Sequence, residues 1–328
     1  IILEGLSWHW LFFVNLPVVI VGILMVARYV PQVKSARKQQ FDIWGALVLC
    51  AALISFLFAL TTGQRGGFSQ PVVWILGLIS LVALIVFIQV ELRARDPMID
   101  LRIFRNGLFS INLVTGFLSF MASAGTTLLM PFYLQTIMNY SPRTAGLMLS
   151  VVPLAIGIVA PFSGAVSDRI GTRPLTALGL FIAFLGYVAV SSIDQTTTQL
   201  GYILRFIPIG VGIGLFQSPN NSAIMGSGPK EGLGVISGLL SITRTLGQIT
   251  GIATLGAIWD SRVQYHQSAG VSNTPELAGL GDALMVSVAL FFSAACLAIW
   301  ALFKESSSRR KLQSQAADVG RQVQSIKD

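Results

Sequence analysis

Charged residues are scarce in this sequence, and their scarcity excludes an ordinary soluble protein. Only 11% of the 328 residues are Asp, Glu, Lys or Arg, whereas about a quarter of residues are charged in a typical soluble domain. Hydrophobic residues make up 53% of the chain. Because a bilayer admits repeated apolar segments mainly as helices, we expect an all-α polytopic membrane protein.

Cysteine and histidine are nearly absent, with two of each. Cys50 and Cys296 fall inside apolar runs, where a disulfide framework is not expected, and we interpret them as small core residues. His9 and His266 are far apart, so the spacing of a metal site is missing. No nucleophile, base and orienting group form a catalytic pattern, and the glycines of 210–214 lack the lysine of a phosphate loop. We therefore expect neither an enzyme nor a bound metal or cofactor.

Nine apolar runs are each long enough to cross a bilayer. A helix rises 1.5 Å per residue, so roughly 20 residues cross a hydrocarbon core of about 30 Å. The predicted spans are residues 9–30, 43–62, 72–90, 108–133, 145–166, 175–193, 200–224, 235–259 and 283–303. An odd number of spans places the two ends of the chain on opposite sides of the membrane.

The basic residues indicate the orientation of these spans. Seventeen of the 22 Lys and Arg residues follow the odd-numbered spans, and the opposite loops hold only Arg65, Arg143 and Arg262. Because basic residues concentrate on the cytoplasmic side, we expect a cytoplasmic C-terminus. The net charge is +8, but its dispersal without interleaved aromatic residues argues against nucleic acid as a partner.

A short charged turn separates two of the apolar runs. It reads Gly164-Ala-Val-Ser-Asp168-Arg169-Ile-Gly171-Thr-Arg173-Pro174. Glycine permits a sharp turn or a close approach of helices, and a carboxylate near two guanidiniums can form ion pairs across helix ends. The pattern G-x-x-x-D-R-x-G-x-R resembles the signature loop of the major facilitator superfamily of secondary transporters, in the copy carried by the C-terminal half. An ordinary positive cytoplasmic loop is the alternative.

The beginning of the chain carries a second family pattern. The stretch Trp8-His-Trp10-Leu-Phe-Phe-Val-Asn15-Leu-Pro17 is similar to the sixth helix of the fourteen-helix drug:proton antiporters, the branch that includes bacterial multidrug exporters. Tryptophan anchors a span at the membrane interface. The resemblance extends to about Phe303 and corresponds to the last nine of fourteen helices, so we expect the sequence to lack an N-terminal part.

The resemblance implies a partial major facilitator fold in four regions. Residues 1–30 are expected to be the last helix of an N-terminal bundle, and 31–106 a cytoplasmic connector, an inserted two-helix hairpin and an amphipathic linker. Residues 107–303 are expected to form a complete C-terminal six-helix bundle. For residues 304–328 the polar composition predicts a disordered or weakly helical cytoplasmic tail.

Polar side chains inside the apolar runs predict a central cavity, because such groups are costly in lipid and usually face a bundle interior. Arg244 lies about nine residues into its predicted span and needs a partner or a wet cavity. The cavity candidates are Asn112, Met121, Phe132, Tyr133, Gln135, Gln217, Asn220, Asn221, Arg244 and Gln248. Aromatic and methionine walls suit varied amphipathic, often cationic, molecules. Helix packing or contact with lipid is the alternative for each candidate.

We assign the charged turn to gating. Opposed charges at helix ends can pair in one state of a transporter and separate in the other, and the residues concerned are Gly164, Asp168, Arg169, Gly171 and Arg173. A static determinant of topology is the alternative. The fourteen carboxylates are all predicted to lie in loops, tails or helix ends, so we expect the proton-coupling carboxylate in the N-terminal part.

The resemblance implies an exporter of amphipathic small molecules, such as drugs and toxins, in the cytoplasmic (inner) membrane. The proton gradient is the expected energy source. The expected partners are the substrate, protons and the lipid bilayer, and the resemblance also allows a periplasmic adaptor. Two alternatives stay open, which are a dedicated exporter of one metabolite or siderophore on the same fold and a non-transporting membrane scaffold.

Overall fold

The computed structural model describes residues 9–29, 42–94, 99–227, 232–270 and 274–325, and helices occupy most of them. In chain order the helices are α1 (Trp10–Phe13), α2 (Asn15–Tyr29), α3 (Ile43–Gly66), α4 (Pro71–Arg93), α5 (Gly107–Phe132), α6 (Pro142–Leu149), α7 (Val151–Ile170), α8 (Thr172–Val190), α9 (Gln199–Met225), α10 (Leu233–Ala269) and α11 (Pro275–Ser325). A 3-10 turn at Leu101–Arg105 and a π turn at Tyr133–Ile137 complete the described elements. The predicted all-α fold is confirmed.

Seven helical stretches of the described chain are long and apolar enough to cross a membrane. They are Ile43–Gln64, Pro71–Arg93, Gly107–Ile137, Pro142–Ile170, Thr172–Val190, Gln199–Met225 and Pro275–Lys304. The other two predicted spans fall on α2, which is apolar but shorter, and on α10, which is long but less apolar. The protein is therefore a multi-pass membrane protein, while the count of nine spans stays a prediction.

Several helices extend beyond the spans predicted from hydropathy. The predicted spans 235–259 and 283–303 become parts of α10 and α11, which reach much closer to each other along the chain. Hydropathy marks only the apolar part of a helix, whereas the backbone hydrogen bonds continue for as long as the residues permit. The backbone of α11 stays helical through Ser325, which agrees with the helical alternative predicted for the tail, and the division into four regions stays a prediction.

Pro17 accounts for the interruption between α1 and α2. The proline ring clashes with the carbonyl group four residues earlier, which belongs to Phe13, the last residue of α1. Trp10 packs edge-on against Phe13, with ring centroids 6.0 Å apart. None of the side chains of α2 is buried. Trp8, the first tryptophan of the predicted family pattern, lies outside the described residues.

The predicted two-helix insertion is a hairpin of α3 and α4, and α3 lies against α10. Asp42 caps α3 by accepting a hydrogen bond of 2.8 Å from the backbone N–H three residues later, which satisfies a donor that the helix leaves unpaired. Leu49 and Phe87 form a small apolar cluster with Ile99 of the following linker, against Ile242 of α10. This contact attaches the hairpin to the rest of the protein.

The helices from α5 to α11 form one bundle of six helical segments, in which α6 and α7 together make one segment. α8 packs between α9 and α11, α11 also packs against α5 and α10, and α7 packs against α9. Stacked rings fill the core, such as Tyr187 on Phe291 with centroids 4.6 Å apart. Few contacts join α9 to α5 and α10, so the side between α7 and α10 is not closed by another described helix.

Glycines allow a very close contact between α5 and α10. A Cβ atom at Gly125 would lie 2.8 Å from the carbonyl oxygen of Gly251, and one at Gly247 would lie 2.8 Å from the carbonyl oxygen of Phe117. A Cβ atom at Gly251 would overlap the carbonyl oxygen of Met121. The two backbones therefore touch, as they often do where small residues line membrane helices.

Both cysteines are exposed on helix surfaces, Cys50 on α3 and Cys296 on α11. The interpretation of these residues as core residues is therefore wrong. In a membrane protein the surface that faces lipid is as apolar as the core. An apolar run consequently does not reveal which of its residues are buried.

The contact between α5 and α10 predicts that alanine substitution of two glycines of the same helix has different effects on stability. Gly251→Ala is expected to lower the free energy of unfolding by roughly 1–3 kcal/mol, because the added methyl group forces the backbones apart. Gly238→Ala is the matched control, since a Cβ atom there meets nothing within 4 Å. Thermal unfolding of the purified protein in detergent measures both variants, and equal melting temperatures would contradict the close contact.

Candidate functional site

One face of α10 is polar although the helix lies in an apolar bundle. Between Ile236 and Trp259 every exposed residue is polar or glycine, namely Ser237, Gly238, Ser241, Arg244, Thr245 and Gln248. Positions 237, 241, 244 and 248 share one side of the helix because they are three or four residues apart. We call Ser237, Ser241, Arg244 and Gln248 the polar stripe.

The exposed face of α8 has a similar spacing and the opposite chemistry. Its residues are Leu178, Phe181, Leu185 and Val188, which are all apolar, as contact with lipid requires. A polar side chain gains nothing in lipid, because hydrocarbon offers no hydrogen-bond partner. The polar stripe therefore faces water or protein, and it explains why α10 is less apolar than its neighbours.

Arg244 lies at mid-depth in the bundle. Its guanidinium carbon is 5.1 Å from the centroid of the Phe120 ring, and Phe120 stands near the midpoint of α5, a helix of 26 residues. A cation–π contact of this kind contributes about 0.5–2 kcal/mol. Within the described residues Arg244 forms no ion pair. The ring of Phe120 thus supports the guanidinium without neutralising its charge.

Amide side chains of α9 form a second polar group, next to α5. Asn220 is 1% exposed, and its Nδ2 atom lies 3.5 Å from where a Cβ atom at Gly116 would stand. Among the described residues, the Oδ1 atoms of Asn220 and Asn221 are buried without a hydrogen-bond partner. Gln217 lies one turn from Asn220 on α9, and Asn112 lies one turn from Gly116 on α5. Both side chains are half-buried. An unsatisfied buried amide costs about 1–3 kcal/mol, so this group suits a polar ligand atom or water.

Three further cavity candidates lie along α5. Met121 is half-buried and supplies the carbonyl group that touches Gly251. Phe132 is 46% exposed and packs on Trp259 of α10, with ring centroids 5.2 Å apart. Gln135 is exposed in the π turn that follows α5. Of these, Met121 is near Arg244 in depth, whereas Phe132 and Gln135 are at the end of the helix.

Tyr133 has a structural role in place of the expected cavity contact. Its ring is buried, and its hydroxyl donates a hydrogen bond of 2.8 Å to the backbone carbonyl of Asp194 in the loop between α8 and α9. The side chain of Asp194 accepts hydrogen bonds from Thr196 and Thr197, and these bonds hold the pKa of its carboxyl below the ordinary value. Tyr133 therefore fastens the end of α5 to an ordered loop.

The charged turn is tighter than predicted. The helix α7 continues through Gly164, Asp168 and Arg169, so the only residue between α7 and α8 is Gly171. Gly171 has φ +91° and ψ 157°, a conformation that is open essentially to glycine alone. Asp168 and Arg169 are exposed, and Arg173 is half-buried in the first turn of α8. The predicted loop is therefore a one-residue hinge that presents charges from two helix ends.

Sequence reasoning missed a charge cluster between α10 and α11. Arg262 Nε and His266 Nε2 contact the same carboxylate oxygen of Asp282, at 2.6 and 2.9 Å. Asp260 and Asp282 lie within helices, so the prediction that every carboxylate lies in a loop, tail or helix end is wrong. The extended lengths of α10 and α11 are the reason. The spacing of four residues between Arg262 and His266 was the available signal for a shared helix face.

The sequence matches transporters over most of its length. Residues 1–252 match the family described as Major Facilitator Superfamily. The uncharacterized transporter YebQ of Escherichia coli strain K12 is 36% identical over 77% of this chain and 55% of its own length. The multidrug transporter protein MdtP of Bacillus subtilis strain 168 is 28% identical over 80% of this chain and 48% of its own. The riboflavin transporter RibZ of Clostridioides difficile strain 630 is 24% identical over 94% of this chain and 66% of its own.

This chain spans about half the length of the curated relatives that it matches. All three of these relatives are named as transporters. The relatives of this chain are therefore membrane transporters and not enzymes.

The chemistry of the polar stripe predicts that a cysteine at Gln248 reacts with a water-soluble maleimide. Only a hydrated thiol ionises to the reactive thiolate, so Gln248→Cys is expected to react on the order of tenfold faster than Leu185→Cys on the apolar face of α8. Both substitutions are made with Cys50 and Cys296 replaced by serine, and labelling is followed by gel shift in open membrane sheets. Equal labelling of the two sites would place the stripe in lipid.

The conformation of Gly171 predicts a strained turn when a side chain is added. Gly171→Ala is expected to cost roughly 1–3 kcal/mol of unfolding free energy, because the backbone conformation disfavours any Cβ atom. Gly146→Ala in α6 is the control, since it is helical and a Cβ atom there meets nothing within 4 Å. Thermal unfolding in detergent compares them, and a Gly171 variant as stable as the control would refute the one-residue hinge.

Proposed function

The chain belongs to the major facilitator superfamily, and on this basis we propose that it is part of a secondary active transporter that exports amphipathic small molecules in exchange for protons. The proposed location is the cytoplasmic (inner) membrane, with the end of α11 in the cytoplasm as the basic residues indicate. In this proposal the protein alternates between inward-facing and outward-facing states. The proton gradient supplies the energy.

The polar stripe of α10 is the observation that carries the proposal. A guanidinium and an amide exposed halfway through a membrane are costly in lipid but tolerated beside a water-filled path. Secondary transporters bind their substrates near the middle of the bilayer. A scaffold without a transport path offers no reason to place Arg244 and Gln248 at that depth.

Apolar side chains beside the stripe support an amphipathic substrate. Phe120 lies under Arg244, and Met121 occupies the next position of α5. Flexible methionine and aromatic surfaces adapt to different apolar shapes. A multidrug transporter protein among the relatives supports the same substrate class.

A dedicated exporter of one compound is the second candidate. The riboflavin transporter covers 94% of this chain, so the same arrangement of helices is compatible with a single substrate. The buried amides of Asn220 and Asn221 favour this candidate, because fixed hydrogen-bonding groups select one molecule more strongly than adaptable apolar walls do.

The charged hinge is proposed to act as a gate. In this structure neither Asp168 nor Arg169 forms an ion pair within the described residues. Both are exposed at the end of α7, beside the residue that allows α8 to turn back. Ion pairs that form there in only one state would bias the equilibrium between the two states.

Transport is tested with the full-length gene product in everted membrane vesicles, in which export appears as uptake. Energised vesicles are expected to accumulate amphipathic fluorescent dyes, and a protonophore is expected to abolish the accumulation. Mutual competition among unrelated dyes distinguishes multidrug export from dedicated export. Vesicles that accumulate neither dyes nor riboflavin beyond those without the protein would contradict the proposed function.

The gate predicts that Asp168→Asn impairs transport. Loss of an ion pair that differs between states is expected to reduce dye flux about fivefold or more, since coupling energies of 1–3 kcal/mol are typical of such switches. Asp260→Asn on α10 is the control, because this exposed carboxylate is bonded to the neighbouring Gln264. Normal membrane insertion is verified by immunoblot. Unchanged flux in the Asp168 variant would leave the turn as a determinant of topology only.

A further inference from the structure

The charge of the polar stripe is positive, and no carboxylate of the described residues forms an ion pair with Arg244. Along α10 the next carboxylate after Arg244 is Asp260, which is about 24 Å farther along the helix. Asp168 stands at the end of α7, and Asp282 pairs with Arg262 near the start of α11. Asp42 caps α3, and Glu91 near the end of α4 accepts a hydrogen bond from the backbone N–H of Ile99. Among the described residues the contact of the Arg244 guanidinium is with the Phe120 ring, and no carboxylate forms an ion pair with it.

The packing of α10 fixes the direction of Arg244. Gly247 and Gly251 hold one side of the helix against the backbone of α5, and Ile242 packs toward the α3–α4 hairpin on another side. Arg244 consequently stays on the exposed face and cannot turn into either interface. Phe120 is the aromatic partner of the guanidinium, which has N–H donors in a planar fork to offer another ligand.

A carboxylate is the ligand that matches this arrangement. The guanidinium edge forms two parallel hydrogen bonds with the two oxygens of a carboxylate, and these bonds are strengthened by the opposite charges. Ser241 and Gln248 stand one turn to either side of Arg244 on the same face, where they offer a hydroxyl and an amide to the atoms next to the carboxylate. The Phe120 ring offers an apolar surface.

We infer that Arg244 binds a carboxylate of the transported molecule, so that the preferred substrates are organic anions or zwitterions with an apolar, often aromatic, body. This inference rests on the proposed transport function. It replaces the expectation that the substrates are often cationic, because a cation placed beside Arg244 is repelled by it in a medium of low dielectric constant.

The test uses two dyes that differ by one charge. Tetramethylrhodamine has a free carboxylate, and tetramethylrhodamine methyl ester has the same ring system with that carboxylate masked. Binding of each dye to the purified full-length protein in detergent is measured by fluorescence anisotropy. The variants are Arg244→Gln, Arg244→Lys and, as a control within the same helix, Arg262→Gln.

The unmodified protein is expected to bind the free acid about tenfold or more tightly than the ester, as a charge-assisted bond implies. Arg244→Gln is expected to abolish this difference by weakening the acid alone. Arg244→Lys is expected to keep part of it, since an ammonium retains the charge but not the planar fork. Arg262→Gln is expected to leave it unchanged.

Three results would overturn the inference. They are equal binding of the two dyes to the unmodified protein, a preference for the acid that persists in Arg244→Gln, and an equal loss of both dyes in Arg244→Gln. The last result would show that Arg244 supports the site without recognising the carboxylate of the dye. Melting temperatures within a few degrees of the unmodified protein confirm that the variants are folded. If Arg244→Gln is not folded, the dye preference of Arg244→Lys decides the question.

Flux separates this inference from the proposed function. In proteoliposomes with a pH gradient, binding selective for the acid without movement of either dye would support the carboxylate site and contradict the transport proposal. Movement of the ester together with exclusion of the acid would support the transport proposal and contradict the carboxylate site. Movement of the acid, reduced by Arg244→Gln, is expected if both are correct.

Discussion

The cost of placing polar groups in hydrocarbon decides which side of this bundle can face lipid. A side chain such as Arg244 cannot lie against lipid halfway through a membrane without a large energetic penalty. The polar stripe therefore identifies which side of the bundle faces water or protein. The apolar face of α8 identifies the lipid side by the same rule, and the difference between the two faces orients the bundle.

The close contact between α5 and α10 fixes the position of Arg244. Gly247 and Gly251 bring α10 against the backbone of α5, and this contact fixes the rotation of α10 about its axis. Rotation of the helix by a third of a turn would bury Arg244 or turn it toward the α3–α4 hairpin. The glycines thus decide where the guanidinium points, although they contact no ligand themselves.

The two ends of the bundle carry different arrangements of charged side chains. At one end Gly171 allows α7 and α8 to meet with exposed charges on either side of a one-residue turn. At the connection between α10 and α11, Asp282 holds Arg262 and His266 in an ion-paired cluster. The polar stripe lies between these ends. This separation suits the proposed alternating-access cycle, in which a gate responds to the state of the binding site without being part of it.

Much of the fold could be predicted from the amino-acid sequence, because the membrane requires long apolar helices. Apolar runs of about 20 residues predicted the helices, and the patterns around Trp8 and Asp168 predicted the major facilitator superfamily, which the family match confirms. Arg244 and Gln248 were predicted as cavity residues because polar groups are rare inside spans. The structure places both on one exposed face.

Only the tertiary structure decided which apolar residues are buried and where the helices end. Lipid and protein core are equally apolar, so hydropathy assigned Cys50 and Cys296 to the core although both are exposed. The burial of Tyr133, its bond to the loop at Asp194 and the pairing of Asp282 join residues that are distant in the chain. The sequence determined which segments enter the membrane, because the bilayer acts on each segment separately. Packing between segments determined what each residue faces, because that depends on all of them together.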